Sequence, residues 1–144
     1  MASTTSLTID DFERLPDEQV ENHELVDGEL VPGSTGTLRQ NRIRDRFILL
    51  IGPIVFEQGL GTIIAEQEYD FGGNAHGPDV SFYGPAKEPL VDDMKRVQRF
   101  VPDLAIEIVS TYDVATNLWR KVIPGLRIVM NELFRGICPP PTAP

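Results

Sequence analysis

Apolar residues recur along this chain with two periods, and the change of period marks the elements. Over residues 37–58 the apolar positions Ile43, Phe47, Leu50, Ile51, Ile54 and Val55 fall at spacings of three, four and one. That spacing predicts a long helix burying one stripe. Gly52-Pro53 inside it predicts a kink or a split, because proline removes a backbone donor and clashes with the preceding turn. Elsewhere the period is two. Residues 101–110, Val-Pro-Asp-Leu-Ala-Ile-Glu-Ile-Val-Ser, read as a central strand, apolar on both faces and β-branched at Ile106, Ile108 and Val109. Gly77-Pro78-Asp79-Val80-Ser81-Phe82-Tyr83 repeats that pattern, and residues 61–69 form a further strand. Residues 22–31 divide into two short alternating runs about Asp27-Gly28, the strongest hairpin signal in the chain. On its first arm Glu24 and Val26 share one face, while His23 and Leu25 share the other.

The remaining segments are read from punctuation. Thr8 with Asp11 three residues on makes a capping box for a short helix that Leu15-Pro16 closes. Residues 32–36 and 72–77 are loops, and residues 84–99, with Pro85, Pro89, Asp92 and Asp93, predict an exposed, mobile loop. Residues 112–122 are helical, stopped by Pro124-Gly125, and residues 126–130 suit a last short strand. The first few residues and the proline-rich residues 137–144 predict disorder, which leaves one domain over residues 1–136. Interleaved strands and helices predict an α/β fold with a central mixed sheet flanked by helices and an N-terminal β-hairpin.

Charge and cysteine usage narrow the function. A net charge of −9 repels nucleic acid at long range, so a nucleic-acid site requires a local basic patch or a metal centre. Arg39, Arg42, Arg44 and Arg46 crowd the first half of the long helix, and Arg39, Arg42 and Arg46 share one side of it. They read as a solvated face or as contacts to a phosphate backbone. The single Cys138 cannot form an intrachain disulfide, which fits a cytoplasmic location. The N-terminus lacks the pattern of a signal peptide, and the longest apolar stretch, residues 47–56, is too short to span a bilayer. No membrane association is expected.

One acid resists a structural explanation. Glu107 sits among aliphatic residues, and an ionised carboxylate buried without a partner costs several kcal/mol or more, so it must meet a cation, a metal or a proton. Asp79 opens the other short strand. Two carboxylates on neighbouring strands suit Mg²⁺ or Mn²⁺ with several waters retained. Lys121, fourteen residues after Glu107 on the following helix, can lie over the sheet edge near them, and Glu24 can add a further carboxylate. Read singly, Asp79 also suits a turn cap, Lys121 a solvated helix position and Glu24 an arginine partner. His76 can ligate a metal, although a lone loop histidine is usually exposed.

These residues carry a resemblance. The opening helix Leu7-Thr8-Ile9-Asp10-Asp11-Phe12, the hairpin Glu24-Leu25-Val26-Asp27-Gly28-Glu29-Leu30, Gly77-Pro78-Asp79-Val80 and the strand from Val101-Pro102-Asp103-Leu104 to Ser110 resemble the Uma-two family. That family belongs to the restriction-endonuclease-like PD-(D/E)XK nucleases. The resemblance implies that Asp79 and Glu107 ligate Mg²⁺ or Mn²⁺, Lys121 is the catalytic cation and Glu24 an auxiliary acid. Val109 stands where the usual strand lysine would, and the helix lysine takes its role. Asp103 also matches, as a residue that caps or orients the strand. Two departures stand out: Leu38-Arg39-Gln40 replaces a histidine found in relatives, and the likeness fades after Lys121, where Pro124-Gly125 follows at once.

The resulting expectation is a metal-dependent endonuclease that hydrolyses phosphodiester bonds of DNA, with turnover impaired by a truncated or shifted C-terminal edge. An unpaired edge there predicts a homodimer. The alternative is a catalytically inactive member of the fold, acting as a nucleic-acid-binding or assembly module.

Overall fold

The N-terminal capping box forms as its residues dictate. In the computed structural model, which describes residues 6–33 and 36–108, the Thr8 hydroxyl accepts the Asp11 N–H at 3.2 Å, and the Asp11 carboxylate accepts the Thr8 N–H at 3.0 Å. Helix α1 (Ile9–Arg14) follows, then a single turn, α2 (Asp17–Val20), opened by Pro16. The hairpin is strands β1 (His23–Val26) and β2 (Glu29–Pro32), joined through Asp27 at φ 51° and Gly28 at φ 79°. Two successive positive φ values match the twist of flanking strands, and glycine adopts them without steric cost. A Cβ at Gly28 would also lie 1.8 Å from the Ser6 hydroxyl.

Helix α3 (Leu38–Glu57) is continuous, so Pro53 does not split it. Proline near a helix end removes one bond from a ladder that the preceding turns already stabilise. Thr37 and Gln40 form a second capping box at its start. The helix buries Ile43, Phe47, Ile48 and Ile51 against the sheet of β3 (Thr62–Ala65), β6 (Val80–Tyr83) and β8 (Leu104–Ile106), in that order and antiparallel throughout. The buried stripe is narrower than expected. Leu50 and Ile54 face solvent, because the sheet covers only the side that carries Ile43, Phe47 and Ile51.

The second sheet has the order β2-β1-β5-β4-β7, with β4 (Glu68–Asp70), β5 (Ala75–His76) and β7 (Val97–Gln98). It is mixed, since β4 and β7 run parallel while the other pairs are antiparallel. Its core gathers Ile9, Phe12, Val20, Leu25, Ala75 and Val97. A third cluster, Tyr69, Tyr83 and Phe100, joins residues of both sheets through edge-to-face rings 5.3 and 5.5 Å apart.

Three expectations are corrected here. Residues 61–69 are not one strand: Glu66, at φ 54°, turns the chain so that β3 and β4 enter different sheets. Residues 84–99 are not a free loop. They hold a 3₁₀ helix (Pro85–Leu90) and β7, and polar side chains staple them down. Arg96 grips Glu68 with two bonds of 2.6 and 2.8 Å, and lies 4.9 Å from the Phe12 ring centre. The Gln98 amide closes the turn below it on Asp92 and Lys95. The strand predicted over residues 101–110 is likewise shorter, and Glu107 follows its last residue instead of lying within it. The predicted helix at 112–122, the strand at 126–130, the tail at 137–144 and the disordered first residues lie outside the described residues.

Candidate active site

The register of β6 and β8 builds the site. Val80 pairs with Ile106, so the residues just beyond, Asp79 and Glu107, meet at adjoining strand ends. The side chains of Asp79 and Glu107 are neighbours at these strand ends. Burial pushes the Asp79 carboxyl above its ordinary range, opposed by the Ile108 N–H, by Glu107 and by Arg44, and assisted by the negative charge of Glu66.

The backbone after Glu107 is held from both sides. The Ile108 N–H donates to Asp79 Oδ2 at 2.6 Å, and the Ile108 carbonyl accepts Gln40 Nε2 at 2.8 Å. Gln40 is also the capping-box residue of α3, its Oε1 accepting the Thr37 N–H at 2.7 Å. One side chain therefore ties the start of the long helix to the strand end that carries the acid. One turn further along α3, Arg44 is also turned inward, with 16% of its side chain exposed. It pairs with Glu66 and, through Nε at 3.0 Å, with Asp45. Gln40, Arg44, Ile48 and Ile51 share one helix side, so the polar pair extends the buried stripe towards the acids.

Gln40, Arg44 and Glu66 were not among the candidates read from the sequence. The Thr37/Gln40 capping box was legible, and Arg44 sits beside the stripe residue Ile43; nothing local reveals what either side chain meets across the fold. Arg39, Arg42 and Arg46 are exposed on α3. Asp103 binds the start of β8 to the 3₁₀ segment, accepting the Gly84 N–H at 2.8 Å and Lys87 Nζ at 2.6 Å. Those bonds hold its carboxyl below the ordinary range. Lys121 lies outside the described residues.

Glu24 is on β1, opposite His76 of β5 and 3.5 Å from its Nδ1. Both are buried, so His76 is not the exposed loop histidine expected; its two-residue strand is enclosed between β1 and β4. Among the described residues no group of three or more His, Cys, Asp and Glu side chains is gathered to hold a metal. The Asp79–Glu107 pair nevertheless suits a small hard cation. Its donors are carboxylate oxygens, two acids at adjoining strand ends favour a positive charge between them, and Mg²⁺ ordinarily completes its shell with water.

Known proteins bear on this geometry. Residues 9–123 match the family model Uma2, described as "putative restriction endonuclease". A crystal structure of a putative nuclease of DUF820 from Anabaena variabilis is similar in fold, with a TM-score of 0.67 at 22% identity. The likeness covers 79% of this chain and 64% of that one, so the chain spans somewhat under two thirds of its relative's length. No match was found among curated proteins. No helix among the described residues is long and apolar enough to cross a membrane. With four fifths of its length matched, the chain belongs to the Uma2 family of putative restriction endonucleases.

Proposed function

We propose that this protein hydrolyses phosphodiester bonds of DNA, using Mg²⁺ or Mn²⁺ held by Asp79 and Glu107. The observation that carries the reading is the half-buried pair of acids that the β6–β8 register sets side by side at adjoining strand ends. Gathering two acids there costs desolvation and repulsion, which a structural role does not require and a cation relieves. The bound cation supplies positive charge at the phosphoryl oxygens and acidity to a water.

The chain's own residues do the rest. Asp79 keeps Oδ2 on the Ile108 N–H, which fixes the plane of the carboxylate. Glu107, at the adjoining strand end, is the second anionic ligand. Gln40, by gripping the Ile108 carbonyl, keeps the backbone after Glu107 from drifting. In this reading Lys121 neutralises developing charge or orients the attacking water, and Glu24, 3.5 Å from His76, is an auxiliary acid. Positioning of this kind matters because a displacement of about 1 Å can cost on the order of a hundredfold in rate.

Two measurements test the proposal. Millimolar Mn²⁺ should raise the melting temperature, since a ligand that binds the native state stabilises it by mass action. Asp79→Ala and Glu107→Ala should each abolish the rise. Nicking of supercoiled DNA in Mn²⁺ should disappear in Glu107→Ala and in Lys121→Ala. A melting response to Mn²⁺ that survives in both acid variants removes the pair as ligands.

A further inference from the structure

Arg44 is the cation that the described fold brings to the acid pair, and its present partners do not suit it equally. Its side chain is 16% exposed, whereas that of Glu66, its partner, is 67% exposed. The guanidinium is therefore fixed by packing on α3, while the carboxylate reaches it from solvent. Glu66 stands at the sharp turn between β3 and β4, where its backbone, at φ 54°, holds the left-handed conformation that non-glycine residues seldom adopt. Asp45, 61% exposed, takes the Nε side.

Ion pairs of exposed carboxylates contribute little, with a median of about 0–1 kcal/mol. A phosphate offers two oxygens in one plane to the guanidinium fork, a stronger match than one carboxylate oxygen. Glu66, which Arg44 pairs with, donates its backbone N–H to the Asp79 carbonyl at 3.4 Å. Gln40, one turn before Arg44, reaches the Ile108 carbonyl at 2.8 Å, so the guanidinium stands beside the strand ends that carry the acids. We propose that Arg44 grips a DNA phosphate beside the Asp79–Glu107 pair, and that Glu66 is its built-in competitor, holding the guanidinium until the phosphate displaces it. This inference rests on the reading of the acid pair as the DNA site. It differs from that reading in naming a contact and a competitor within the chain.

The two partners of an ordinary structural ion pair lose the same interaction when either is removed. Here their removal acts in opposite directions. Affinity for a duplex DNA oligonucleotide is measured in Ca²⁺, so that binding is read without turnover, on the full chain. Arg44→Met should weaken binding about tenfold, the loss expected for one charge-assisted hydrogen-bonded contact. Glu66→Gln should tighten it about threefold, the release of one exposed ion pair. The double variant separates competition from simple repulsion of DNA by Glu66. If Glu66 acts through Arg44, Glu66→Gln gives no gain in the Arg44→Met background.

Arg44→Lys keeps the charge but not the fork, and should recover only part of the lost affinity even where Arg44→Met folds poorly. Variants that both weaken binding, or a Glu66→Gln gain that persists without Arg44, overturn the inference. Nicking in Mn²⁺, lost in Glu107→Ala, reports separately on the proposed function. Opposed binding effects without nicking leave the inference standing and remove the nuclease activity. Nicking with no opposed effects does the reverse, and no DNA binding by wild type or Glu66→Gln removes both.

Discussion

Single residues here act through what they meet across the fold. Tyr69 shows this most simply. It is fully buried, its hydroxyl is 2.7 Å from Ser81 Oγ, and burial pushes its phenol up to about 12. The folded state therefore keeps the proton to a higher pH than the unfolded chain, whose value is 10.0. That stabilising contribution is complete below the unfolded value and is lost as pH rises through the folded one. Urea unfolding at about pH 9 and about pH 11 should show an alkaline loss of stability that shrinks in Tyr69→Phe. At neutral pH the same variant should cost about 1 kcal/mol, for the hydrogen bond at Ser81. An alkaline loss of unchanged size in Tyr69→Phe would assign it to other groups.

At the scale of elements, helix α3 is the scaffold of the site. Its apolar stripe fixes its rotation on the β3-β6-β8 sheet, and that rotation in turn aims Gln40 and Arg44 at the strand ends. Residues of similar hydrophobicity on the helix should then differ sharply in consequence. Phe47→Ala, which empties the contact with Val80 and Ile106, should destabilise by about 3 kcal/mol. Leu50→Ala, on the solvent side, should change stability by less than about 0.5 kcal/mol. Chemical denaturation checks both, and equal losses would mean that the helix is rotated from the position described. The Arg96–Glu68 fork plays a comparable part for β7, turning a proline-marked segment into sheet.

The whole molecule sets a problem of charge, since a net −9 opposes the approach of DNA. On the DNA-binding reading proposed above, the basic half of α3 would answer it locally. Arg39, Arg42 and Arg46 are exposed on the helix whose inward side carries Arg44. Replacing the three by Gln should weaken DNA binding and reduce its salt slope by about one unit per lost phosphate contact. An undiminished slope in the triple variant would return these arginines to the role of a solvated face. Their effect should also add to that of Arg44→Met, because the exposed three act by general attraction and Arg44 by a single contact.

The sequence by itself determined the parts governed by neighbours along the chain. Thr8 and Asp11 cap α1 through three-residue spacing, Asp27-Gly28 supplies the positive φ pair of a hairpin, and the three-and-four spacing about Phe47 makes a helix. Glu107 stood out because a carboxylate among aliphatics demands a partner, and Asp79 because it opens a second strand of the same pattern; both are local statements. Who that partner is was decided only by tertiary structure. The register of β6 on β8 placed the two acids together, and the rotation of α3 chose Arg44 over the three arginines that cluster. Local reading failed where a distant contact outweighed local preference. Glu66 bends a β-prone run into two sheets, Arg96 and Gln98 order a segment whose prolines suggest a loop, and strands on either side bury His76. Hydrophobic spacing and caps act over one or two turns of chain, whereas these outcomes depend on pairings between residues tens of positions apart, whose free energy no local window contains.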